Sequence, residues 1–166
     1  MAARDRHGGV PQVKIISGGQ TGVDRAALDF AMRRGMEHGG WCPRGRTAED
    51  GPIDPKYALR ETDSPEYGAR TARNVSDSDA TLIVVRERRL TGGTALTRDA
   101  AAQLSRPALV VCEEDGVASG AAGVAAFVKE NGVETLNIAG PRESEAPGLE
   151  RFVVAVLEAA FPQAGV

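Results

Sequence analysis

The chain has 166 residues, a formal net charge of −3, and a composition that is 42% hydrophobic but only 4% aromatic. This length suffices for one domain that buries roughly two-thirds of its unfolded-chain surface without metals or disulfides, and Val, Leu, Ile and Ala must form most of the core. The negative charge argues against non-specific binding to nucleic acid or to an anionic membrane.

The first twelve residues differ in character from the rest of the chain. They mix charges with Gly8, Gly9 and Pro11 and show no periodicity, which predicts a flexible N-terminal tail at 1–12. Residues 13–166 are then expected to form a single domain. Cys42 and Cys112 lie in no C-x-x-C motif, and no apolar run approaches the ~20 residues of a membrane span. We therefore expect a reduced, cytoplasmic protein.

A strand, a glycine-rich turn and a helix follow the tail. Val13 to Ile16 is a β-branched run typical of a buried strand, and Asp24 opens an apolar-periodic segment as its helix cap. Glycines let the backbone approach a ligand, and the N-terminal N–H groups of a helix attract anions. The alternative is a tight turn that needs glycine only for its backbone angles. We predict a phosphate-binding site formed by Ser17, Gly18, Gly19, Gln20, Thr21 and Gly22.

A long loop, residues 42–55, follows a short strand expected at 37–41. Loops of this length in a compact domain are usually functional or disordered. Arg44 and Arg46 are alternate residues, so an extended segment would aim both in the same direction. We predict that they clamp an anionic ligand. The alternative is a pair of surface arginines that nearby acids neutralise.

The middle of the chain contains a second strand–glycine–helix junction. A short strand is expected at 57–62, and Ser64-Pro65-Glu66 predicts a helix start. This helix carries Arg70 and Asn74 on one face, which is typical of a solvated surface. A buried strand at 80–85 then leads into a glycine turn and a helix. The second set of predicted ligand-binding residues lies there: Gly92, Gly93 and Thr94.

The remaining elements complete an α/β pattern. A fourth buried strand is expected at 108–112, a helix at 118–131, a last strand at 134–139 and a final amphipathic helix starting at Pro147. Alternating strands and helices predict a Rossmann-like, doubly wound, mainly parallel sheet of about five strands with helices on both faces. Both glycine junctions then lie at the carboxyl edge of the sheet, on either side of the point where strand order reverses.

Residue types for catalysis are sparse. His7 and His38 are the two histidines, and neither lies where a nucleophile or a metal site would need it, so we expect no metal ligands. The glycine spacing fits neither a P-loop nor a dinucleotide fingerprint. Glu49 or Asp50 could act as a general base on a bound glycoside or ester. A binding protein is favoured over an enzyme.

Several motifs resemble the putative molybdenum carrier family, most densely between residues 13 and 111. The matching segments are Ile16–Asp29, Gly40–Arg46 with Ala48–Gly51, Arg70-Thr71, Asn74-Val75, Ser78-Asp79, and Leu90–Thr94 with Leu96-Thr97. The resemblance implies a Rossmann-like fold and a homo-oligomer, either a dimer or a tetramer. It also implies that molybdenum cofactor is the bound ligand and that no cofactor serves in catalysis.

The wider relatives of that family include lysine-decarboxylase-like proteins, several of which are nucleotide phosphoribohydrolases with the pattern P-G-G-x-G-T-x-x-E. The corresponding stretch here, residues 91–97, lacks the leading proline, the spaced third glycine and the glutamate. The leading hypothesis is therefore a carrier of a phosphorylated, ring-containing small molecule. The alternatives are a nucleotide-processing hydrolase and a nucleotide-sensing module that use the same phosphate cradle.

Overall fold

A computed structural model of the protein describes residues 12–163, so the tail predicted at 1–12 lies outside the described residues except for Gln12. The strands are β1 (Lys14–Ile16), β2 (His38–Gly39), β3 (Trp41–Cys42), β4 (Thr47–Ala48), β5 (Gly51–Pro52), β6 (Arg60–Glu61), β7 (Ala80–Val85), β8 (Ala108–Cys112) and β9 (Thr135–Ala139). The helices are α1 (Val23–Arg33), α2 (Tyr67–Ser76), α3 (Gly92–Gln103), α4 (Val117–Glu130) and α5 (Leu149–Ala160). None of these helices is long and apolar enough to cross a bilayer.

The main sheet has five strands in the order β2-β1-β9-β7-β8, and every pair is parallel. This confirms the predicted Rossmann-like sheet. The last strand in sequence, β9, lies in the centre between β1 and β7. If the strands are counted from β9 onward, the order becomes 3-2-1-4-5, which is that of the Rossmann fold. The topology is thus a Rossmann sheet whose first strand and helix have moved to the end of the chain.

Helices cover both faces of this sheet because its strands are apolar on both sides. On one face, α1, α4 and α5 supply Phe30, Val124 and Val153 to the largest core cluster, which also contains Leu82 and Val84 of β7. The side chains that alternate with these two, Ile83 and Val85, belong to a smaller cluster on the opposite face. Helices α2 and α3 pack together.

The region predicted as a second strand and a long loop has more structure than expected. The strand divides at Gly40, which has a φ of 131° and is so close to the first strand that a Cβ would lie 2.2 Å from the Ser17 carbonyl oxygen. Before the division, β2 joins the main sheet, whereas β3 after it pairs with β6. The loop also contains the β4–β5 hairpin. Strands of two residues are too short to show a hydrophobic alternation, so the sequence pattern could not predict these pairs.

Some predicted element ends were also wrong. Helix α1 has Gly22 as its N-cap rather than Asp24, and α5 begins after Gly148 rather than at Pro147. Helix α2 begins at Tyr67 rather than at the predicted Ser64-Pro65-Glu66. The Ser64 hydroxyl accepts a hydrogen bond from the Glu66 N–H in a separate turn before the helix. Strand β8 was expected to be buried, but it is an edge strand of the sheet with an exposed Val110.

Candidate functional site

A cleft of about 90 Å³ opens at the carboxyl edge of β9, between the β1–α1 and β7–α3 junctions. The sequence predicted that the two glycine junctions flank one site, and the cleft brings Gly18 and Gln20 of the first together with Gly93 and Thr94 of the second. Its other lining residues are Asp24, Tyr67, Arg70, Thr71, Asn74, Leu96, Thr97, Asn137, Ala139, Gly140, Pro141, Arg142 and Glu145.

The glycines of the first junction have mainly packing roles. Gly22 has a φ of 80°, and a Cβ there would lie 2.7 Å from the Pro141 carbonyl oxygen, so the β9–α5 loop packs directly on the start of α1. Gly19 has a φ of 78°, and a Cβ would meet the Leu59 side chain at 2.6 Å. Both glycines therefore fit the alternative of a tight turn. Gly18 lines the cleft, and its carbonyl oxygen accepts a hydrogen bond of 3.0 Å from Arg70.

The polar side chains of this junction also contact the protein itself. The Ser17 hydroxyl is buried and donates to the Ile138 carbonyl oxygen at 2.6 Å. The Thr21 hydroxyl donates to Glu49 and accepts a hydrogen bond from the Glu143 N–H. Neither residue lines the cleft. Two of the six residues predicted to hold a phosphate here, Gly18 and Gln20, therefore line the observed cleft.

Gln20 is the residue of this junction whose hydrogen bonding is incomplete. Its Oε1 accepts hydrogen bonds from the Thr21 and Glu49 N–H groups, at 3.0 Å and 2.9 Å. Its Nε2 is buried and has no partner within the described residues. A buried N–H2 group without a partner costs free energy comparable to a lost hydrogen bond. A ligand in the cleft is a candidate partner.

Asp24 is a buried carboxyl group in the cleft wall. It lies in the first turn of α1, and its Oδ2 accepts a hydrogen bond of 3.2 Å from the Gln20 N–H. Burial raises the pKa of Asp24 above its ordinary value, and the positive charge of Arg70 offsets this only in part. A buried carboxyl group with a shifted pKa in a cleft is typical of a functional site.

Two arginines and a tyrosine form the more open side of the cleft. The guanidinium carbons of Arg70 and Arg142 lie 5.1 Å and 5.6 Å from the centre of the Tyr67 ring, within cation–π range. Arg142 also pairs with Glu145 at 3.2 Å, and its side chain is 35% exposed. These arginines give the cleft cationic groups that can contact an anionic ligand.

The second junction presents an open helix N-terminus. Gly92 has a φ of 53°, and a Cβ on Gly92 or Gly93 would meet nothing within 4 Å. The Thr94 hydroxyl donates to the Thr91 carbonyl oxygen at 2.6 Å. In contrast to α1, α3 has no acidic residue in its first turn. The first N–H groups of a helix lack intrahelical partners, so this junction is the better of the two for an anion.

The two arginines of the long loop do not form a clamp on the cleft in the observed geometry. The chain turns sharply between them, with φ values of 89° at Gly45 and 52° at Arg46, so their side chains do not lie on one side of an extended segment. Arg44 is exposed and does not line the cleft. The Arg46 guanidinium instead donates to backbone carbonyl oxygens of Ile53, Asp54, Tyr57 and Leu59.

The two carboxylates predicted as a general base also have protein partners and lie outside the cleft lining. Hydrogen bonds from Ser144 and Thr21 hold the pKa of Glu49 below its ordinary value. Paired hydrogen bonds from Arg25 do the same for the pKa of Asp50. A carboxylate whose pKa is lowered is a weaker general base. Their contacts connect the loop to α1 and to the β9–α5 loop.

Some residues of the cleft were missed by sequence reasoning. Arg70 and Asn74 were expected on a solvated helix face, but Asn74 is 3% exposed and hydrogen bonds with both the N–H and the carbonyl group of Trp41. Asn137 is 2% exposed and lines the cleft from β9. A polar residue within an apolar strand was a signal that could have found it. Within residues 12–163 there is no cluster of three or more potential metal ligands.

The fold defines a Rossmann-like α/β protein with a cleft at the point where strand order reverses. Residues 15–161 match the model of the circularly permutated YpsA SLOG family, and the chain belongs to this family. The central position of β9 agrees with the permutation that this description states.

A solved structure is similar over most of the chain. The crystal structure of a putative molybdenum carrier protein from Syntrophus aciditrophicus SB is 41% identical in sequence, with a TM-score of 0.88. The similarity covers 90% of this chain and 96% of that one. The predicted family resemblance is therefore confirmed. No curated protein matches the chain.

Proposed function

We propose that the protein binds and carries a phosphorylated, ring-containing small molecule in the cleft between the two glycine junctions. The observation that supports this most directly is the buried Nε2 of Gln20, a donor without a partner among the described residues, in a residue that lines the cleft. The naming of the similar structure as a carrier protein supports the same role. On this proposal, molybdenum cofactor is the leading ligand.

The anionic group of the ligand binds at the start of α3 rather than at the start of α1. The open backbone at Gly92 and Gly93 supports this assignment, because it lets an oxyanion approach the first N–H groups of the helix. Arg142 supplies a cationic partner that lines the same cleft. At the start of α1, by contrast, the Asp24 carboxylate would repel an anion.

The donor set is suited to the organic part of molybdenum cofactor. Backbone N–H groups near Gly93 and the Arg142 side chain would hold its phosphate, and Gln20 would hydrogen bond to its ring system. The Thr94 hydroxyl would join them only by exchanging its hydrogen bond to the Thr91 carbonyl oxygen for one to the phosphate. The cofactor travels as cargo in this proposal, so no protein ligand to the metal is required. The homo-oligomer and the cytoplasmic location remain predictions, and light scattering of the purified protein measures the first of them.

A thermal-shift screen tests the proposed function. The purified protein is heated with molybdenum cofactor, nucleoside mono- to triphosphates, molybdate or plain phosphate. A ligand at a hundred times its Kd should raise the Tm by about 5–10 °C, because it binds only the native state. Stabilisation by none of these compounds would contradict the proposal. Stabilisation by a nucleotide that then disappears during incubation would favour the hydrolase alternative.

A matched pair of arginine substitutions locates the anion. Arg142→Gln should weaken the binding of the stabilising ligand about tenfold, since a charge-assisted hydrogen bond is worth about 1.5–3 kcal/mol. Arg151→Gln changes an exposed arginine of α5 that does not line the cleft and should leave the Kd unchanged. Isothermal titration calorimetry measures both. Equal affinities of the two variants would place the anion elsewhere.

A further inference from the structure

The outer edge of β8 is an unprotected sheet edge. Strand β8 is the last strand of the main sheet, and within residues 12–163 it pairs only with β7. Its sequence, Ala-Leu-Val-Val-Cys, contains neither a proline nor a charged residue, although such residues commonly keep other chains from pairing with an edge strand. The opposite edge strand, β2, has only two residues and ends at the Gly40 turn. The β8 edge is therefore the one suited to pairing with a strand of another chain.

The backbone of β8 presents a defined set of hydrogen-bonding groups at this edge. The Pro107 carbonyl oxygen accepts a hydrogen bond of 2.9 Å from the Thr81 N–H of β7. Successive residues of a strand direct their backbone groups to opposite sides. Every second residue from Pro107 therefore faces β7, whereas Ala108, Val110 and Cys112 direct their N–H and carbonyl groups to the outer edge. Val110 is the middle one of these three, and it is 39% exposed.

We propose that this edge pairs with the same edge of a second copy of the chain, antiparallel and centred on Val110, so that the two main sheets become one continuous sheet. Around a twofold axis at Val110, its N–H donates to the partner's Val110 carbonyl oxygen. Ala108 likewise exchanges hydrogen bonds with the partner's Cys112. Each outward N–H of the strand then has an acceptor, and the opposed β-branched side chains at the axis stabilise the pairing. The proposed function does not require this association.

Charges on either side of β8 select the antiparallel arrangement. Arg106 precedes the strand and Glu114 lies in the turn that follows it, at equal distances in sequence from Val110. Both side chains are exposed, and neither forms an ion pair within the described residues. The Arg106 guanidinium donates to the Ser76 carbonyl oxygen at 3.3 Å. An antiparallel copy brings Arg106 to the partner's Glu114 at both ends of the interface, whereas a parallel copy would place like charges together.

Sedimentation velocity at a series of protein concentrations tests the interface. We expect the unmodified protein to form a dimer, or a larger assembly that contains this dimer. Val110→Lys should weaken that association at least about tenfold, because it places two like charges at the twofold axis and protects the edge. Its far-UV circular dichroism should match that of the unmodified protein, since the side chain is exposed. A protein that stays monomeric throughout the series, or a Val110→Lys variant that associates as tightly as the unmodified protein, would overturn the proposal.

Charge reversal tests the antiparallel register without changing the strand itself. Arg106→Glu places two acidic side chains together at each end of the interface and should weaken the dimer about tenfold. Adding Glu114→Arg restores opposite charges, so the double variant should return to within about threefold of the unmodified protein. Arg151→Glu is the control, because it changes the net charge equally at an exposed residue of α5, and it should leave the association unchanged. A double variant that did not recover, or a dimer weakened by Arg151→Glu and not by Arg106→Glu, would show that the interface lies elsewhere.

Discussion

Asp24 contributes to the cleft at the expense of stability. Its pKa is raised in the folded state, chiefly by burial, so the folded protein binds a proton more readily than the unfolded chain does. Between the unfolded and folded pKa values, the free energy of unfolding therefore falls as pH rises. Above the ordinary pKa of an aspartate, this raised pKa is a net cost to the fold. Sites that bind ligands often carry such costs.

Asp24→Asn should accordingly raise the Tm of the ligand-free protein at pH 7, because it removes a carboxyl group whose raised pKa lowers the free energy of unfolding at that pH. The gain should shrink as the pH falls toward the ordinary pKa of an aspartate, where the carboxyl group of the unmodified protein is protonated in both states. Calorimetric melting of both proteins between pH 4 and pH 8 measures this difference. A Tm gain that grew at low pH would contradict the assigned direction of the pKa.

Among the elements, the segment from β3 to β6 combines a small apolar cluster, in which Cys42, Ile53 and Tyr57 pack with Leu28 of α1, with the half-buried guanidinium group of Arg46. Arg46 lies at a positive φ of 52°. From there its side chain reaches four backbone carbonyl oxygens, at Ile53, Asp54, Tyr57 and Leu59. The segment packs Leu59 and Ile53 against Gly19 of the first junction. Arg46 therefore supports the cleft indirectly, by ordering the backbone behind it.

Arg46→Ala should lower the free energy of unfolding by about 1–3 kcal/mol, since several hydrogen bonds from a charged donor are lost. Arg44→Ala changes an exposed side chain and should have an effect within about 0.5 kcal/mol. Urea denaturation measures both values. If the two variants were equally stable and both bound ligand more weakly, the arginine clamp expected from the sequence would be supported instead.

For the whole molecule, the notable feature is the insertion of the last strand into the centre of the sheet. β9 pairs with β1 on one side and with β7 on the other, so the cleft forms only when both ends of the described chain have come together. The Ser17 hydroxyl and the Ile138 carbonyl oxygen, 121 residues apart, are hydrogen bonded. Val13 and Phe161 line the same surface pocket, so the two ends of the domain are close.

A circular permutant tests this topology. Opening the chain between Asn131 and Gly132, and joining residue 166 to residue 1, makes β9 the first strand and gives the Rossmann order in sequence. Exposed sites with tethered ends usually tolerate such permutation. We expect a folded protein with the same far-UV circular dichroism and a ligand Kd within about threefold, since the contacts of the cleft are retained. An unfolded product would show that chain order matters more than the final pairing.

Local patterns in the sequence determined the element types and the fold class. The β-branched run at 80–85 and the apolar spacing of α1 and α5 reflect burial in the fold. In each element the buried positions follow a pattern among neighbouring residues, so the sequence shows them directly. The glycines at 18–22 and 92–93 correctly marked two turns at the carboxyl edge of the sheet. The family resemblance rested on the same segments and was confirmed.

Only the tertiary structure decided which residues of those turns meet in the cleft. Strand pairing between distant segments placed β9 in the centre, and this brought Asn137 and Arg142 to the site, although sequence reasoning had selected neither as a site residue. It also brought Glu49 to Ser144 of the β9–α5 loop. Folding of the loop segment itself engaged Arg46 with backbone carbonyl oxygens. The hydrogen-bond partners of a polar side chain depend on three-dimensional proximity, which a one-dimensional pattern of residue types does not encode.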